Sequence, residues 1–455
     1  MGNGVSDTES INVTNAPPRS KGYAWYTVLV LTVCYTLSFI DRQILSLLVG
    51  PIKADLKISD TQVGLLGGLA FSLFYTLLGL PIGRLADRYN RRNIIVGGVV
   101  LWSMMTAACA FTRSFPALFL ARMGVGVGEA ALSPSAVSMI ADSFPKEKLS
   151  SAMSFYSMGI YLGSGLALLV GGIVIAAITK TPTIDLPFVG PVASWRGTFL
   201  IVGLPGILVS LWVLTLREPP RGNSITAAGG ERATLTMKET VGELTQRWRS
   251  VGGIAVGITM QAIALYAFML WSAVVLQRIY GWSPRESGLT MGTVVLIGGC
   301  LGMFAGGRLS DRWLAAGRRD AAVIVAMVSS IAASIFFGLL LVTLGSASAT
   351  VTFFALGVVV LAMPTGSVYA ASQMVLPNQV RGQAMAVILF IGNLGGLTLG
   401  PLLPGLLNDY WFQDESALGY SLALTLTFAT LAAALVYAWT RPHYRRDHER
   451  LHSET

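Results

Sequence analysis

Charge is what this chain has least of. Asp, Glu, Lys and Arg make up 12% of its 455 residues, about half the share usual in a soluble domain. That is too little polar surface to cover a water-soluble globule, so a string of soluble domains is excluded. Cysteine is scarce too. Cys34, Cys109 and Cys300 stand alone inside apolar stretches, with no CxxC, and imply no disulfide framework. The three histidines, His443, His448 and His452, all lie close to the C-terminus. Nowhere do the candidate residues form a nucleophile–base pair or a metal-ligand spacing, which argues against an enzyme, a metal or a cofactor. The N-terminal stretch is polar and lacks an apolar h-region, so no cleavable signal peptide is expected.

What fills the chain is apolar. Hydrophobic residues reach 53% and the mean hydropathy is +0.63. Ile94 to Phe111, Val251 to Gln277, Ala321 to Val380 and Ser416 to Thr440 carry no charge. A helix crossing a bilayer needs about 20 such residues, so these blocks read as spans. Breaks in hydropathy give helices over 23–49, 61–82, 93–113, 116–141, 150–178 and 196–216. A second set covers 251–279, 287–307, 321–344, 350–376, 383–407 and 417–440. The chain thus divides into a tail (1–22), a six-helix bundle (23–216), a hydrophilic linker (217–250), a second bundle (251–440) and a tail (441–455). The net charge of +9 is concentrated in the termini and the connections that follow even-numbered helices. By the positive-inside rule this puts both termini in the cytoplasm. No basic run is interleaved with aromatics, so the expected partners are a bilayer and a small amphipathic solute, not nucleic acid. The chain is expected to work as a monomer.

The halves repeat. Gly83-Arg84-Leu85-Ala86-Asp87-Arg88 follows helix 2, with Arg91 and Arg92 beyond it; Gly307-Arg308-Leu309-Ser310-Asp311-Arg312 follows helix 8. Parallel repeats of this kind are a known transporter architecture. Both segments resemble the loop signatures of the major facilitator superfamily. Arg122-x-x-x-Gly126-x-Gly128 is similar to its helix 4 signature, and the glycines of helix 5 to that helix's, without the usual Gly-Pro pair. The resemblance implies twelve helices in two pseudo-symmetric bundles. It also implies a cytoplasmic gate, with Asp87 facing the start of helix 11 and Asp311 that of helix 5; solvated turns are the plain alternative. Phe39-Ile40-Asp41-Arg42, Ala121 to Ala130, and Arg217-Glu218-Pro219-Pro220-Arg221-Gly222 resemble the spinster-type branch. That resemblance implies a lysolipid or sphingoid cargo and, in some members, coupling to protons.

Ionisable groups inside a bilayer are costly and functional by default. Asp41 and Arg42 fall in the outer half of helix 1. Arg122 lies at a comparable depth in helix 4, and Glu129 deeper. Seven residues are nearly two full turns, so Arg122 and Glu129 share one helix face. An Asp41–Arg122 ion pair and an Arg42 reaching the outer interface are the bland readings. Glu129 has no second cation in view and is the favoured proton carrier, because a neighbouring Arg and desolvation shift a carboxylate in opposite directions. Gly124, Gly126 and Gly128 sit inside a span and serve close packing, not dinucleotide binding. The second half offers only polar candidates for its cavity wall: Gln261, Tyr266, Trp271, Tyr369, Gln373 and Asn393. Charge from one half and apolar groups from the other suit an amphiphile. The expectation is therefore a proton-coupled alternating-access carrier of a lipid-like solute. A proton-driven drug exporter and a non-transporting receptor are the rivals.

Overall fold

The computed structural model describes residues 21–178, 183–186, 190–219, 242, 245–376 and 381–453. Twelve helices in it are long and apolar enough to cross a membrane. The first half holds α1 (Gly22–Leu56), α2 (Asp60–Gly79), α3 (Arg91–Cys109), α4 (Phe115–Ser143), α5 (Ser151–Ile178) and α6 (Trp195–Leu214). The second holds α7 (Trp248–Tyr280), α8 (Pro284–Ala315), α9 (Ala321–Thr343), α10 (Ala347–Met374), α11 (Val387–Phe412) and α12 (Glu415–Leu451). An even number of crossings returns the chain to the face it left. That face, where α1 begins and α12 ends, is here the terminal face; its opposite is the distal face. On the distal side a hairpin, β1 (Thr183–Leu186) against β2 (Gly190–Ala193), joins α5 to α6.

Among the helices that outrun their expected ends are α1 and α12. α1 was expected to stop at 49, before Pro51, but stays helical to Leu56. The extra turns place Lys53 and Asp55 against ion-pair partners. The last helix was expected to stop at 440, yet it runs on to Ser453. Arg441 Nε donates to Asp320 Oδ2 at 2.7 Å, and Ser250 Oγ to Asp447 Oδ2 at 2.5 Å, holding those turns to the second half.

Among the interrupted helices of the first half are α2 and α4. Helix α2 is interrupted at Gly68, whose backbone (φ −109°, ψ −92°) is off-helical. Helix α4 is interrupted after Glu129, with its helical pieces spanning Phe115–Glu129 and Leu132–Ser143. Pro134 explains the second break, since it has no N–H for the carbonyl of Ala130.

The ion pairs are sorted by face. On the terminal face, Arg91 at the start of α3 is held by Asp142 (2.5 Å) and by Glu218 just beyond α6 (2.6 Å). In the second half Asp320, beside the start of α9, is held by Arg441 of α12. These pairs stay within one half, at matching places, with their signs reversed. On the distal face Arg278 of α7 pairs with Asp60 of α2, and Lys53 of α1 with Glu415 of α12. Those pairs cross between halves. The distal face is therefore bolted shut, and among the described residues no ion pair joins the halves at the terminal face.

Candidate functional site

Helix α1 brings Ser38, Asp41 and Arg42 to the middle of the first half, and α4 brings Arg122 and Glu129. The Arg42 side chain points back along α1 toward the helix N-terminus, as helical side chains do. There it meets Ser38, one turn earlier, at 3.3 Å. At the same place Arg42 Nε donates to Glu129 Oε2 at 2.7 Å, with Nη2 2.5 Å from that oxygen. Ser38 Oγ donates to the same oxygen at 2.5 Å. Glu129 is 1% exposed, and its other oxygen, Oε1, has no hydrogen-bond partner among the described residues.

This corrects the expectation that Glu129 lacks a second cation. Arg42 is adjacent to Asp41 in sequence, but the backward tilt of its side chain carries it a full turn toward Glu129. Nor does Arg42 reach the outer interface. Its guanidinium carbon lies 4.7 Å from the Phe39 ring centre, 4.3 Å from that of Phe71 and 4.8 Å from that of Tyr75. Three aromatic faces thus supply electrostatic attraction where water is scarce.

Asp41 and Arg122 do meet, though not as an ion pair. Arg122 Nη1 donates to the backbone carbonyl of Asp41 at 3.1 Å, while the Asp41 carboxylate accepts from Thr106 Oγ1 at 3.3 Å. Arg122 is 1% exposed and its Nε is unpartnered among the described residues. Four ionisable side chains are therefore packed between α1 and α4, and only one close ion pair forms among them.

Arg42 also faces a cavity of about 60 Å³ between the halves. The first half contributes Phe39, Arg42, Gln43 and Phe71; the second contributes Tyr266, Met269 and Pro401 among others. Bonds between the halves border the cavity. Gln43 Nε2 donates to the Met269 carbonyl at 2.5 Å, and the Ser72 and Thr398 hydroxyls lie 2.7 Å apart.

The second-half candidates separate. Tyr266 lines this cavity and Asn393 lines a neighbouring groove. Trp271 does not line it: it is fully buried and donates its indole N–H to the Pro401 carbonyl at 2.8 Å. Gln261 is used inside its own half, donating to Ser330 at 3.0 Å and accepting from Tyr437 at 2.9 Å. Tyr369 packs on the cluster around Val323 and Val368, and Gln373 is exposed near the terminal end of α10. Sequence distinguishes these poorly, since a polar residue in an apolar helix can face a cavity or a neighbouring helix equally well.

The gate residues lie at the terminal ends of α2 and α8. The side chain of Asp87 lies outside the described residues, as does the start of α11 that it was expected to face. Arg88, Asp311 and Arg312 are exposed. Arg91 and Arg92, grouped with the gate from sequence, bond within the first half. Arg91 is 1% exposed and also reaches Ser138 and the Pro219 carbonyl; Arg92 reaches the carbonyl of Leu216 at 3.2 Å. A side chain added at Gly83 would meet nothing closer than 3.9 Å, and one at Gly307 nothing at all.

Sequence reading missed the distal bolt. Asp60 is fully buried and accepts from Arg278 through both oxygens (2.6 and 2.9 Å), from Lys53 (2.7 Å) and from Asn408 (2.8 Å). The available signal was Ser59-Asp60-Thr61-Gln62, a capping box that starts α2 at Asp60 and not one residue later.

Comparison with known proteins agrees with this architecture. The family model described as Major Facilitator Superfamily matches residues 31–401. An MFS-type efflux pump of Mycolicibacterium smegmatis is 29% identical, over 96% of this chain and 97% of that one. Protein spinster homolog 1 of Mus musculus is 28% identical over 91% of this chain and 80% of its own length. Among solved structures, a bacterial homolog of the human lysosomal transporter Spinster, inward-facing and unoccupied, superposes with a TM-score of 0.76 at 28% identity. It covers 95% of this chain and 98% of that one. A D-xylose–proton symporter at 19% identity shares the fold, with a TM-score of 0.67.

Proposed function

The chain belongs to the major facilitator superfamily, and on that premise we propose that it carries an amphipathic, lipid-like solute by alternating access, as a monomer, with protons as the coupling ion. One observation carries the reading: the Arg42–Glu129 pair at the wall of the central cavity. Ionised, Glu129 occupies Arg42. A proton taken up by Glu129 removes that attraction and frees a guanidinium, already facing the cavity, to bind an anionic head group. The proton and the head group thereby load one residue pair together. The opposite wall, with Leu265, Tyr266 and Met269, is suited to the apolar part of the same molecule. The similarity to spinster proteins supports a single-chain lysolipid or sphingoid cargo.

The excess of basic residues near the terminal face supports a cytoplasmic orientation for it. With the distal bolt made, this conformation is then inward-facing. The similarity to an efflux pump supports a second reading, proton-driven export of lipophilic drugs, which a broad response to unrelated lipophilic cations would favour.

The test is transport of a fluorescent lysolipid into proteoliposomes, with and without an imposed pH gradient. Glu129→Gln should leave the protein folded and abolish the response to the gradient, and Glu129→Asp should keep part of it with a displaced pH profile. Wild-type pH dependence in the Gln variant would remove Glu129 from coupling.

A further inference from the structure

The central cavity includes Arg42, and the space between the halves continues past Tyr75. One turn nearer the terminal face lies a groove of about 390 Å³, lined by Tyr75 and Gly79 of α2, Val137 of α4, and Leu389, Phe390 and Asn393 of α11. It carries no Asp, Glu, Lys or Arg among its lining residues. It adjoins the ion pair directly. Tyr75 is one of the rings against Arg42, and Ala130, also at its wall, follows Glu129 in sequence. Along α4 from Ala130 to Val137 the groove extends about 10 Å at 1.5 Å per residue. Val137 and Leu389 are 42% and 38% exposed, so its far end is open.

The two seams between the halves differ here. Toward the distal face α2 and α11 are jammed together: a Cβ at Gly64 would stand 2.6 Å from the Pro401 carbonyl, and one at Gly68 2.8 Å from that of Leu397. At Gly79 it would meet nothing within 4 Å. The other seam, α5 against α8, stays shut as it nears the terminal face, where a Cβ at Gly299 would collide with the Tyr161 ring. Only the α2–α11 seam opens into an apolar groove that begins at the ion pair.

We propose that this groove holds the aliphatic chain of the substrate while the head group sits at Arg42 and Glu129, and that Gly79, Val137 and Leu389 set the longest chain the protein carries. The proposal rests on the carrier reading and adds where the tail lies and what measures it. A groove without charge, about 10 Å long and open at its far end, suits a single unbranched tail. A rigid polycyclic drug would not follow it.

The experiment is binding of a homologous series of single-chain lysophospholipids, short to long, to the purified full chain in nanodiscs. Affinity should rise about fourfold per added methylene until the groove is full, then level off. Gly79→Trp and Val137→Trp should move that plateau to shorter chains and leave short-chain affinity unchanged. Val137→Ala, which obstructs nothing, should move it to longer ones. A plateau that stays in place in all three variants overturns the groove while the head-group reading stands. Loss of every lysolipid from the wild-type protein overturns both.

Discussion

Asp60 and Glu129 are both buried carboxylates, yet their surroundings set them to opposite tasks. Asp60 spends both oxygens on Arg278, Lys53 and Asn408. Glu129 leaves Oε1 without a partner among the described residues, and an unpaired buried acceptor costs about 1–3 kcal/mol. The first arrangement resists change of any kind; the second is poised for it. Asp60→Asn should therefore leave the proton response intact and weaken the distal bolt by about 2–3 kcal/mol. Spin labels placed across the distal face should report longer distances; unchanged distances would mean that the bolt does not set the state.

How much of this was legible in sequence depends on what a residue's role rests on. Glu129 was legible because a carboxylate deep in an apolar helix is rare whatever its neighbours. Its partner was not, because sequence spacing pairs Glu129 with Arg122 on its own helix while the contact with Arg42 depends on how α1 is rotated against α4. Asp60 was passed over because it stands at a helix end, where a carboxylate looks like an ordinary cap. Trp271 and Gln261 were misread for the converse reason: neighbouring helices within their own half satisfy them.

At the scale of the element, the glycines of the repeated signature have no close neighbour in this state. Gly83 and Gly307 stand clear at the terminal face, whereas Gly64, Gly68 and Gly126 are pressed against backbone carbonyls. The open space at these two signature glycines leaves room for a state in which the terminal face closes. Gly83→Leu should fold with wild-type stability and bind ligand from the terminal side, but fail to close that face, so that transport is lost while binding survives. Transport at wild-type rate would show that the terminal ends of α2 and its neighbours never approach closely.

The helix-end ties have a different signature. Arg91→Ala leaves Asp142 and Glu218 without their shared cation, a loss of about 3 kcal/mol or more. Asp320→Ala leaves Arg441, whose side chain is 38% exposed and can be solvated, so about 1 kcal/mol is expected. Thermal melts of the two variants should fall in that order. The repeat itself was plain in sequence; that Arg91 belongs to the framework of its half was not, since its partners lie 51 and 127 positions away.

For the whole molecule, the twelve helices followed from hydropathy alone, because a bilayer demands long apolar stretches with internally satisfied backbones. The conformation did not, because every alternating state shares the same spans. A cysteine at Asn90 should be labelled by a membrane-impermeant reagent only from the cytoplasm, and one at Lys57, at the distal vestibule, only from outside. The reverse pattern would invert the orientation drawn from the basic residues.

The sign reversal between the halves bears on how the chain is assembled in the first place. Viewed as labels on helix ends, α3 carries plus, α6 minus, α9 minus and α12 plus. Had the duplicated half kept its polarity, α3 would attract α12 as readily as its proper mate, and α9 would attract α6. With the polarity reversed those exchanges set like charges together, which interfaces strongly disfavour. Charge at these ends thereby disfavours α12 taking the place of α6 beside α3, and α6 taking the place of α12 beside α9.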